Sequence, residues 1–408
     1  MGMMDNHIPL WGIPHTEVLM SSEHALIVGA GAAGWSAADT LVRSGWPGPV
    51  TLVDPIGATN RTLVNKGVLT GLLGRDQVSR PAPAGSELVR DEVLAIDAGG
   101  AVHLRSGDRL VPTAVVIASG SRPRRPSFLD EADHAPEWMP TLHTVEDAER
   151  VRALLSSGSG RVVVLGAGMI GSETASLLAD DGVDVTLVAG SPLPLRAQLG
   201  PAVASELVRR HRDRLRIRTG RRVTRAETRS GAVSVELADG ERLEADVAIV
   251  AHGTLPHRPA SGTGHGEVIV DARLRTGLRG VYAAGGVASI LAHGTTVRVD
   301  HWDDAAAQGT HAARSILHDR LGAADPGEYR FESGYSSRIH GAMLTAWGVA
   351  TPTSRWTRHG DDEVVGVGRH LGEITSVAGI DAPATVRSLA ESVRQDRRER
   401  LQEYPIGV

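Results

Sequence analysis

Closely spaced glycines follow a short apolar run near the start of the chain, and they could hold a phosphorylated ligand. Gly29 allows a tight turn, Gly31 lets the backbone approach a pyrophosphate, and Gly34 lets the next helix pack closely on the sheet. Asp54 ends the following β-rich run, where its carboxylate can accept hydrogen bonds from a ribose 2′-hydroxyl. Strand, glycine turn, helix, strand and acid predict a dinucleotide-binding unit, with Ala33 as a further candidate contact.

The same pattern returns about 137 residues later in the chain. Gly166, Gly168 and Gly171 repeat the three glycine positions after a second apolar run, and Ile170 lies inside the same turn. The positive end of the helix that follows each turn would point towards phosphate groups. We therefore predict two nucleotide-binding units in one chain.

The second unit lacks the acid of the first. Ala189 stands where Asp54 stands in the first unit, so the usual preference for NAD over NADP is lost. Ser191 and Arg196 follow closely and could contact a 2′-phosphate. This arrangement favours NADPH modestly and leaves NADH, or an idle site, as alternatives.

Lys66 is the only lysine among 43 basic residues, and the chain has no cysteine. An ammonium group is compact and can change its pKa, whereas a guanidinium stays charged, so Lys66 is a candidate functional residue. The absence of cysteine excludes disulfides, thiolate zinc sites, cysteine-ligated iron–sulfur clusters and a catalytic thiol. The 17 histidines show no metal-ligand spacing, and we predict no metal site.

The overall composition is that of an ordinary globular protein. The 408 residues suggest two or three domains, and the net charge of −5 gives no basic field for nucleic acid or an anionic membrane. No apolar run reaches the length of a membrane-spanning helix, and the first 20 residues do not resemble a secretory signal. We therefore expect a cytoplasmic protein without a nucleic-acid or membrane partner.

Further elements must support the two units. Helices are predicted at 35–43, 172–180 and 384–403, and a smaller third domain is predicted from about residue 329. Alternating runs after each βαβ unit predict one β-meander per unit, with strands at 87–96, 102–105, 110–118, 223–227, 233–237 and 243–250.

Several segments resemble the FAD-dependent pyridine nucleotide reductases, in particular the ferredoxin reductases that serve cytochrome P450s and Rieske dioxygenases. Residues 117–124 are similar to the family's "ATGARPR" segment, and residues 166–173 to its "GxGxIGxE". The resemblance covers about residues 23 to 390. It implies FAD in the first unit and NADPH or NADH in the second, with Glu173 close to the nicotinamide. Further implied FAD contacts are Ala118, Ser119, Gly120 and Arg124.

Later segments extend the resemblance. Residues 281–288 are similar to "IYAAGDVA", and residues 300–314 to "EHWxxAxxQGxxAA", which is specific to the ferredoxin-reductase branch. Lys66 falls on the family's lysine beside flavin N5, where an ammonium stabilises negative charge on the reduced ring. The implied flavin contacts in these segments are Gly285, Gly286, His301 and Trp302.

The chain departs from this family at three places. Gly286 replaces an aspartate that bonds the ribityl chain of FAD, which removes a charge-assisted bond of about 1.5–3 kcal/mol. Ala189 replaces the ribose-binding acid. Residues 331–335 lack the family's tryptophan beside the flavin, so that either Tyr335 stacks there or the pocket is more open. The cysteine pair of the related disulfide reductases is absent, which excludes disulfide reduction.

The predicted fold class is α/β, with two Rossmann-type dinucleotide-binding domains arranged as in glutathione reductase and a small C-terminal α+β domain. We predict a leader at 1–22, a discontinuous FAD-binding domain at 23–135 and 260–324, an NAD(P)-binding domain at 136–259, and the C-terminal domain at 325–408.

Three hypotheses for function remain. The first is an NAD(P)H oxidoreductase that passes a hydride to FAD and electrons to a [2Fe–2S] ferredoxin, with Lys66 and Glu173 as catalytic residues. The second is a flavin-dependent oxidase, monooxygenase or other tailoring enzyme acting on a small molecule. The third is a non-catalytic nucleotide-binding protein. Either a monomer or a homodimer is compatible with the sequence.

Overall fold

The computed structural model of the protein describes residues 23–129, 138–157, 160–229, 231–259, 266–292, 295–351 and 353–403. The predicted leader and the predicted domain boundaries near residues 135 and 260 lie outside these ranges. Within the described ranges, no helix is both long and apolar enough to cross a membrane.

The first part of the chain forms one glycine-turn unit and its meander. The apolar run after residue 24 is fully buried, as expected for a strand covered on both faces. The elements are β1 (Ala25–Val28), α1 (Ala32–Arg43), β2 (Val50–Val53), a π-helical turn (Val64–Leu69), α2 (Arg75–Val78), β3 (Glu87–Val89), β4 (Val93–Ile96), β5 (Val102–Leu104), β6 (Arg109–Leu110), β7 (Ala114–Ile117), β8 (Ser121–Pro123) and a 3₁₀ turn (Ser127–Leu129).

The second unit repeats this plan. Its elements are α3 (Val145–Ser157), β9 (Arg161–Leu165), α4 (Met169–Asp180), β10 (Asp184–Ala189), α5 (Arg196–Arg212), β11 (Arg216–Thr219), β12 (Val223–Arg229), β13 (Ala232–Leu237), β14 (Arg242–Ala245) and β15 (Val247–Val250). The parallel sheet of this unit has the order β11-β10-β9-β15, and a separate antiparallel meander has the order β12-β13-β14.

The chain then returns to the first unit. The elements of this part are β16 (Thr254–Pro256), β17 (Val268–Val270), β18 (Val281–Ala283), β19 (Ala288–Ala292), β20 (Thr295–Val297) and α6 (Trp302–Leu321). β18 pairs in parallel with β7, which completes a five-stranded parallel sheet of order β18-β7-β1-β2-β3, while α6 packs along α1. β16 pairs with β8 and so marks the crossing between the units.

The last part of the described chain is an antiparallel sheet and a long helix, with the elements β21 (Gly334–Ile339), β22 (Ala342–Gly348), β23 (Arg355–Arg358), β24 (Val364–His370), β25 (Glu373–Ile380) and α7 (Pro383–Glu403). The sheet has the order β21-β22-β25-β24-β23, and α7 packs on β22 and β25. The structure thus has the predicted α/β fold class.

Three of the predicted strands are wrong in their continuity. The runs 87–96, 110–118 and 243–250 each divide into two strands, one in a parallel sheet and one in a meander. In the last run, β14 alternates between buried and exposed positions whereas β15 is buried throughout, so the two halves serve different layers. Asp246 lies at the break, and its carboxylate accepts a hydrogen bond from the Arg161 N–H at 2.8 Å.

The two glycine-turn helices begin three residues earlier than predicted, at Ala32 and Met169. Their first backbone N–H groups therefore lie directly behind Gly31 and Gly168. This placement brings the positive ends of both helices to the glycine turns, where a phosphate would lie.

Candidate active site

The first glycine turn leaves one face open and closes the other. Gly29 has φ +99°, and a Cβ there would lie 2.5 Å from the carbonyl oxygen of Ala118. A Cβ on Gly34 would collide with the carbonyl of Gly29, so α1 lies directly against the turn. In contrast, no atom lies within 4 Å of the position that a Cβ on Gly31 would take. The turn is therefore shaped for a group that approaches its backbone from outside.

The second turn has the same geometry. Gly166 has φ +107° and faces the backbone of Ala251, Gly171 touches Gly166, and the space beside Gly168 is open. Ile170, in the first turn of α4, is 49% exposed. Each glycine turn therefore forms a cradle, that is, a stretch of backbone that is open at its middle glycine. Two such cradles fit two dinucleotides, such as FAD and NAD(P)H.

Asp54 closes the edge of the first cradle. One carboxylate oxygen accepts a hydrogen bond from the Ala30 N–H at 2.8 Å, and the other accepts one from the Gly57 N–H at 2.6 Å. The oxygen bonded to Gly57 also accepts from the Ile56 N–H at 2.8 Å, so the oxygen bonded to Ala30 is the one that keeps a lone pair for a ribose hydroxyl. Ala33 is buried, and its backbone lies against Gly309 of α6.

Residues 118–124 link the first unit to the crossing strand. The Ser119 hydroxyl donates to the carbonyl of His257, and the Gly120 carbonyl accepts from the His257 N–H at 2.9 Å. The Arg124 N–H donates to the carbonyl of Gly253, while its side chain is exposed. Apart from buried Ala118, these predicted cofactor contacts therefore also hold the two units in register.

The two predicted catalytic residues meet between the cradles. Lys66 Nζ, from the π-helical turn, lies 3.2 Å from Glu173 Oε1, from the first turns of α4. The Asn65 amide and the Ser337 hydroxyl also donate to this carboxylate, each at 2.5 Å. Glu173 is 5% exposed, so three donors from three parts of the chain fix the direction of a buried carboxylate. Neither Asn65 nor Ser337 is predicted from the sequence as a site residue.

The carboxylate missing at Gly286 is replaced in space by another. A Cβ on Gly286 would lie 2.5 Å from Asp300 Oδ1. The other oxygen, Oδ2, accepts hydrogen bonds from Ser121 at 2.6 Å and Thr254 at 2.5 Å. Oδ1 receives no hydrogen bond from the described residues and occupies the space that a side chain at position 286 would take.

Charge around Asp300 supports an ionised carboxylate. Burial raises its pKa, but the hydrogen bonds from Ser121 and Thr254 and the charges of Arg61 and Arg298 together hold that pKa below its usual value. The Arg61 guanidinium lies 2.8 Å from the Nδ1 of His143. Burial, and then the charge of Arg61, lower the pKa of His143 to about 4, so this imidazole is neutral at pH 7.

The segment with His301 and Trp302 lies at the start of α6. The His301 ring lies 4.9 Å from the Tyr335 ring, at a tilt of 44°. Burial lowers the pKa of His301, which favours the neutral form of its ring. The Gly285 N–H donates to Gln308 Oε1 at 2.8 Å, which ties the preceding turn to α6. Tyr335 thus lies beside this segment.

A cavity of about 950 Å³ opens beside the second cradle. It extends from Gly168 past Ala189 at the end of β10, and strand β23 of the C-terminal sheet forms its far wall. No aspartate or glutamate is among its lining residues. The described residues contain no group of three or more acidic or histidine side chains that could hold a metal ion.

Comparisons with known proteins agree with this geometry. A ferredoxin–NAD(+) reductase component of the anthranilate 1,2-dioxygenase system from Burkholderia cepacia is 30% identical over 319 residues, which are 73% of this chain and 76% of the relative. The putidaredoxin reductase in its covalent complex with putidaredoxin shares the fold, with a TM-score of 0.80, 24% identity and coverage of 91% and 93% of the two chains.

A third comparison is with an engineered water-forming NADPH oxidase, solved with NADPH bound. It has a TM-score of 0.75 and 16% identity, and the match covers 91% of each chain, so it shows a shared fold. The family model for pyridine nucleotide-disulphide oxidoreductases matches residues 23–309. The chain has no cysteine, so the disulphide in that family description does not apply to its own redox groups. With two dinucleotide cradles and this match, the chain belongs to the pyridine nucleotide-disulphide oxidoreductases, as an oxidoreductase that uses FAD and NAD(P)H.

Proposed function

We propose that this protein is a reductase that takes reducing equivalents from a nicotinamide nucleotide and passes them to a ferredoxin-type electron carrier. The observation that carries the proposal is the Lys66–Glu173 pair, which stands between the two cradles where the two reacting rings would meet. Bound FAD supplies the chemistry, since it accepts a hydride from a reduced nicotinamide and can release the electrons singly.

The protein's own contribution is orientation and charge. The Lys66 ammonium places a positive charge at the meeting point, where negative charge develops during reduction. Its side chain is 40% exposed, so it remains accessible to a ligand. Glu173 holds the ammonium in place, while Asn65 and Ser337 hold Glu173. The Glu173 carboxylate therefore fixes the position of the Lys66 ammonium group.

FAD retention depends on Asp300 in this proposal. In the resemblance described above, an aspartate at position 286 bonds the ribityl chain. Asp300 Oδ1 lies where that side chain would extend, and its free lone pairs can accept from a ribityl hydroxyl. Asp300 is then the substitute for the missing carboxylate, so the loss at Gly286 is compensated within the same site.

We infer further that the second cradle prefers NADPH. The engineered NADPH oxidase carries an aspartate replaced by alanine, then a serine two positions later and an arginine seven positions later. Ala189, Ser191 and Arg196 have the same residue types at the same spacing. The chain differs in keeping Gly190 and Gly171 where the oxidase has arginine and alanine. The Burkholderia relative is named for NAD(+), so this preference would distinguish the two proteins.

The acceptor is proposed from the relatives. The Burkholderia protein is a ferredoxin reductase by name, and the putidaredoxin reductase was solved in complex with putidaredoxin. Arg122, Arg124 and Arg125 are exposed next to the flavin-side segment and carry no ion pair to a described residue. Such a basic surface would steer an acidic electron carrier towards the protein.

The proposal is tested by anaerobic titration of the purified protein with NADPH and then NADH, following the flavin absorbance. We expect NADPH to bleach the flavin band and a [2Fe–2S] ferredoxin added afterwards to restore it. Bleaching without reoxidation by any ferredoxin, but with turnover of a small organic acceptor, would replace this proposal by the tailoring-enzyme hypothesis. Bound flavin that neither nucleotide reduces would contradict a reductase function altogether.

A further inference from the structure

The cavity beside the second cradle is built from two domains, and this is the basis of a further inference. One wall is the loop after β10, with Ser191 and the first residue of α5, Arg196. The opposite wall is β23 of the C-terminal sheet, with Arg355. Residues far apart in sequence therefore face one cavity next to the position that selects between the two nicotinamide nucleotides.

The two arginines have no counter-charge. Neither the Arg196 nor the Arg355 side chain makes an ion pair or hydrogen bond to any residue in the described part of the chain, although most of the other described arginines do. Because like charges that share a cavity repel each other, an anion is the ligand that such a cavity favours. The protein as a whole is acidic, with a net charge of −5, whereas the lining of this cavity carries two arginines and no acidic residue.

Packing holds the two walls together. The Trp356 indole N–H donates to the carbonyl of Ala197 at 3.3 Å, which joins β23 to the first turn of α5. Gly200, with φ +79°, interrupts α5, and a Cβ there would lie 2.6 Å from the Trp356 ring. The glycine leaves room for the indole, and the indole in turn fixes Arg355 on the rim of the cavity.

The hydroxyl of Ser191 is also available. It accepts a hydrogen bond from the Leu193 N–H at 3.2 Å, which orients the oxygen and leaves its own hydrogen free to donate. With Ala189 the carboxylate that would repel a phosphate at this point is absent. A donor, two unpaired guanidinium groups and no acid form a site for a phosphate monoester.

We infer that Arg355, from the C-terminal domain, binds the 2′-phosphate of NADPH together with Ser191 and Arg196, and that the C-terminal domain thereby sets the choice of nucleotide. This inference rests on the proposed function, in which the second cradle holds a nicotinamide nucleotide. It adds a phosphate-binding residue that lies outside the βαβ unit. Arg355 is 159 positions from Arg196 in sequence, the same separation as that between Trp356 and Ala197.

The test measures dissociation constants of NADP⁺ and NAD⁺ for the oxidised, FAD-loaded protein by isothermal titration calorimetry. Arg355→Ala is expected to weaken NADP⁺ binding by about 10-fold or more and to leave NAD⁺ binding unchanged. Arg355→Lys keeps the positive charge but not the planar guanidinium. Its dissociation constant for NADP⁺ should lie between those of the unmodified protein and Arg355→Ala. Arg358→Ala is the matched control, because it removes an exposed arginine from the other end of β23, outside the cavity lining, and it should change neither constant.

Two results would overturn the inference. One is an equal loss of NADP⁺ and NAD⁺ affinity in Arg355→Ala, which would indicate a general effect on the cradle. The other is no loss of either. If in both cases NADPH still reduces the flavin, the proposed function stands and only the role of Arg355 fails. If the unmodified protein binds neither nucleotide and its flavin is not reduced, the proposed function fails as well.

Discussion

Lys66 Nζ lies 3.2 Å from Glu173 Oε1, and this ion pair joins the π-helical turn of the first unit to the glycine-turn helix of the second. The two residues are 107 positions apart, and Glu173 belongs to the helix that begins at the second glycine turn. The pair therefore ties the position of the only lysine to the position of the nicotinamide-side helix.

Removing the charge of this pair should slow reduction of the flavin. We expect Glu173→Gln and Lys66→Met each to lower the rate of flavin reduction by about 10- to 100-fold, because a directed charge is lost at the reacting centre. Stopped-flow absorbance under anaerobic conditions measures this rate. Lys66→Arg keeps the charge and should retain more activity than Lys66→Met. An unchanged rate in Glu173→Gln would exclude Glu173 from the reaction centre.

Exchanging two side chains tests Asp300 as the substitute carboxylate. Asp300→Gly alone should weaken FAD retention, because one charge-assisted bond is worth about 1.5–3 kcal/mol. Gly286→Asp alone should also weaken it, because the new carboxylate would meet Asp300. The double variant restores a single carboxylate and should recover FAD binding. Flavin content after gel filtration and the FAD dissociation constant by fluorescence report the outcome. Failure of the double variant to exceed both single variants would contradict this role.

Alanine substitutions at two glycines with nearly the same φ compare the cost of backbone strain alone with the cost of strain and a steric collision together. Gly107 has φ +98° with nothing within 4 Å of a Cβ, whereas Gly29 has φ +99° and faces the Ala118 carbonyl at 2.5 Å. Gly107→Ala should lower the free energy of unfolding by about 1–2 kcal/mol through strain alone. Gly29→Ala should lower it further, by about 1–3 kcal/mol more, through overpacking. Urea unfolding followed by circular dichroism distinguishes them. Equal losses would mean that the turn relaxes away from Ala118.

A buried histidine pair should make the protein sensitive to acid. His211 Nδ1 lies 3.0 Å from His340 Nε2, and burial, reinforced by His340, lowers the pKa of His211 to about 3. The unfolded chain takes up a proton near pH 6.5, whereas folded His211 does not until about pH 3. The free energy of unfolding should therefore fall as the pH falls from 6.5 towards 3.

The measurement is the midpoint of thermal unfolding across that pH range. His211→Gln should be less stable at neutral pH but should show a flatter dependence between pH 6.5 and 4. His359→Gln, at an exposed position, should leave the slope as it is in the unmodified protein. An equally steep slope in His211→Gln would assign the acid sensitivity to other groups.

Local features of the site could be predicted from the sequence, because the glycine turns need only six consecutive residues to define three steric roles. Gly29, Gly31 and Gly34 in the structure have the geometry expected from their spacing. The donors to Glu173 could not be predicted. Asn65 and Ser337 lie 108 positions before it and 164 positions after it, and only the packing of distant parts of the chain brings them to one carboxylate.

The same limit applies to Gly286. The sequence indicates that a carboxylate is missing there, but side-chain direction decides that Asp300 occupies the vacated space.

The divided strands have a related cause. An apolar run such as 243–250 shows strand propensity throughout, while the step from one layer to another at Asp246 depends on which sheet offers a free edge.

The antiparallel sheet at the end of the chain contributes Ser337 to the buried carboxylate and β23 to the wall of the large cavity. It therefore cannot be regarded as a detachable module. A chain shortened before residue 334 would retain both glycine turns and both parallel sheets, yet the Glu173 carboxylate would lose a donor and the cavity beside the second cradle would lose one wall. The smallest functional unit of this protein is thus set by its last sheet as much as by its two nucleotide-binding folds.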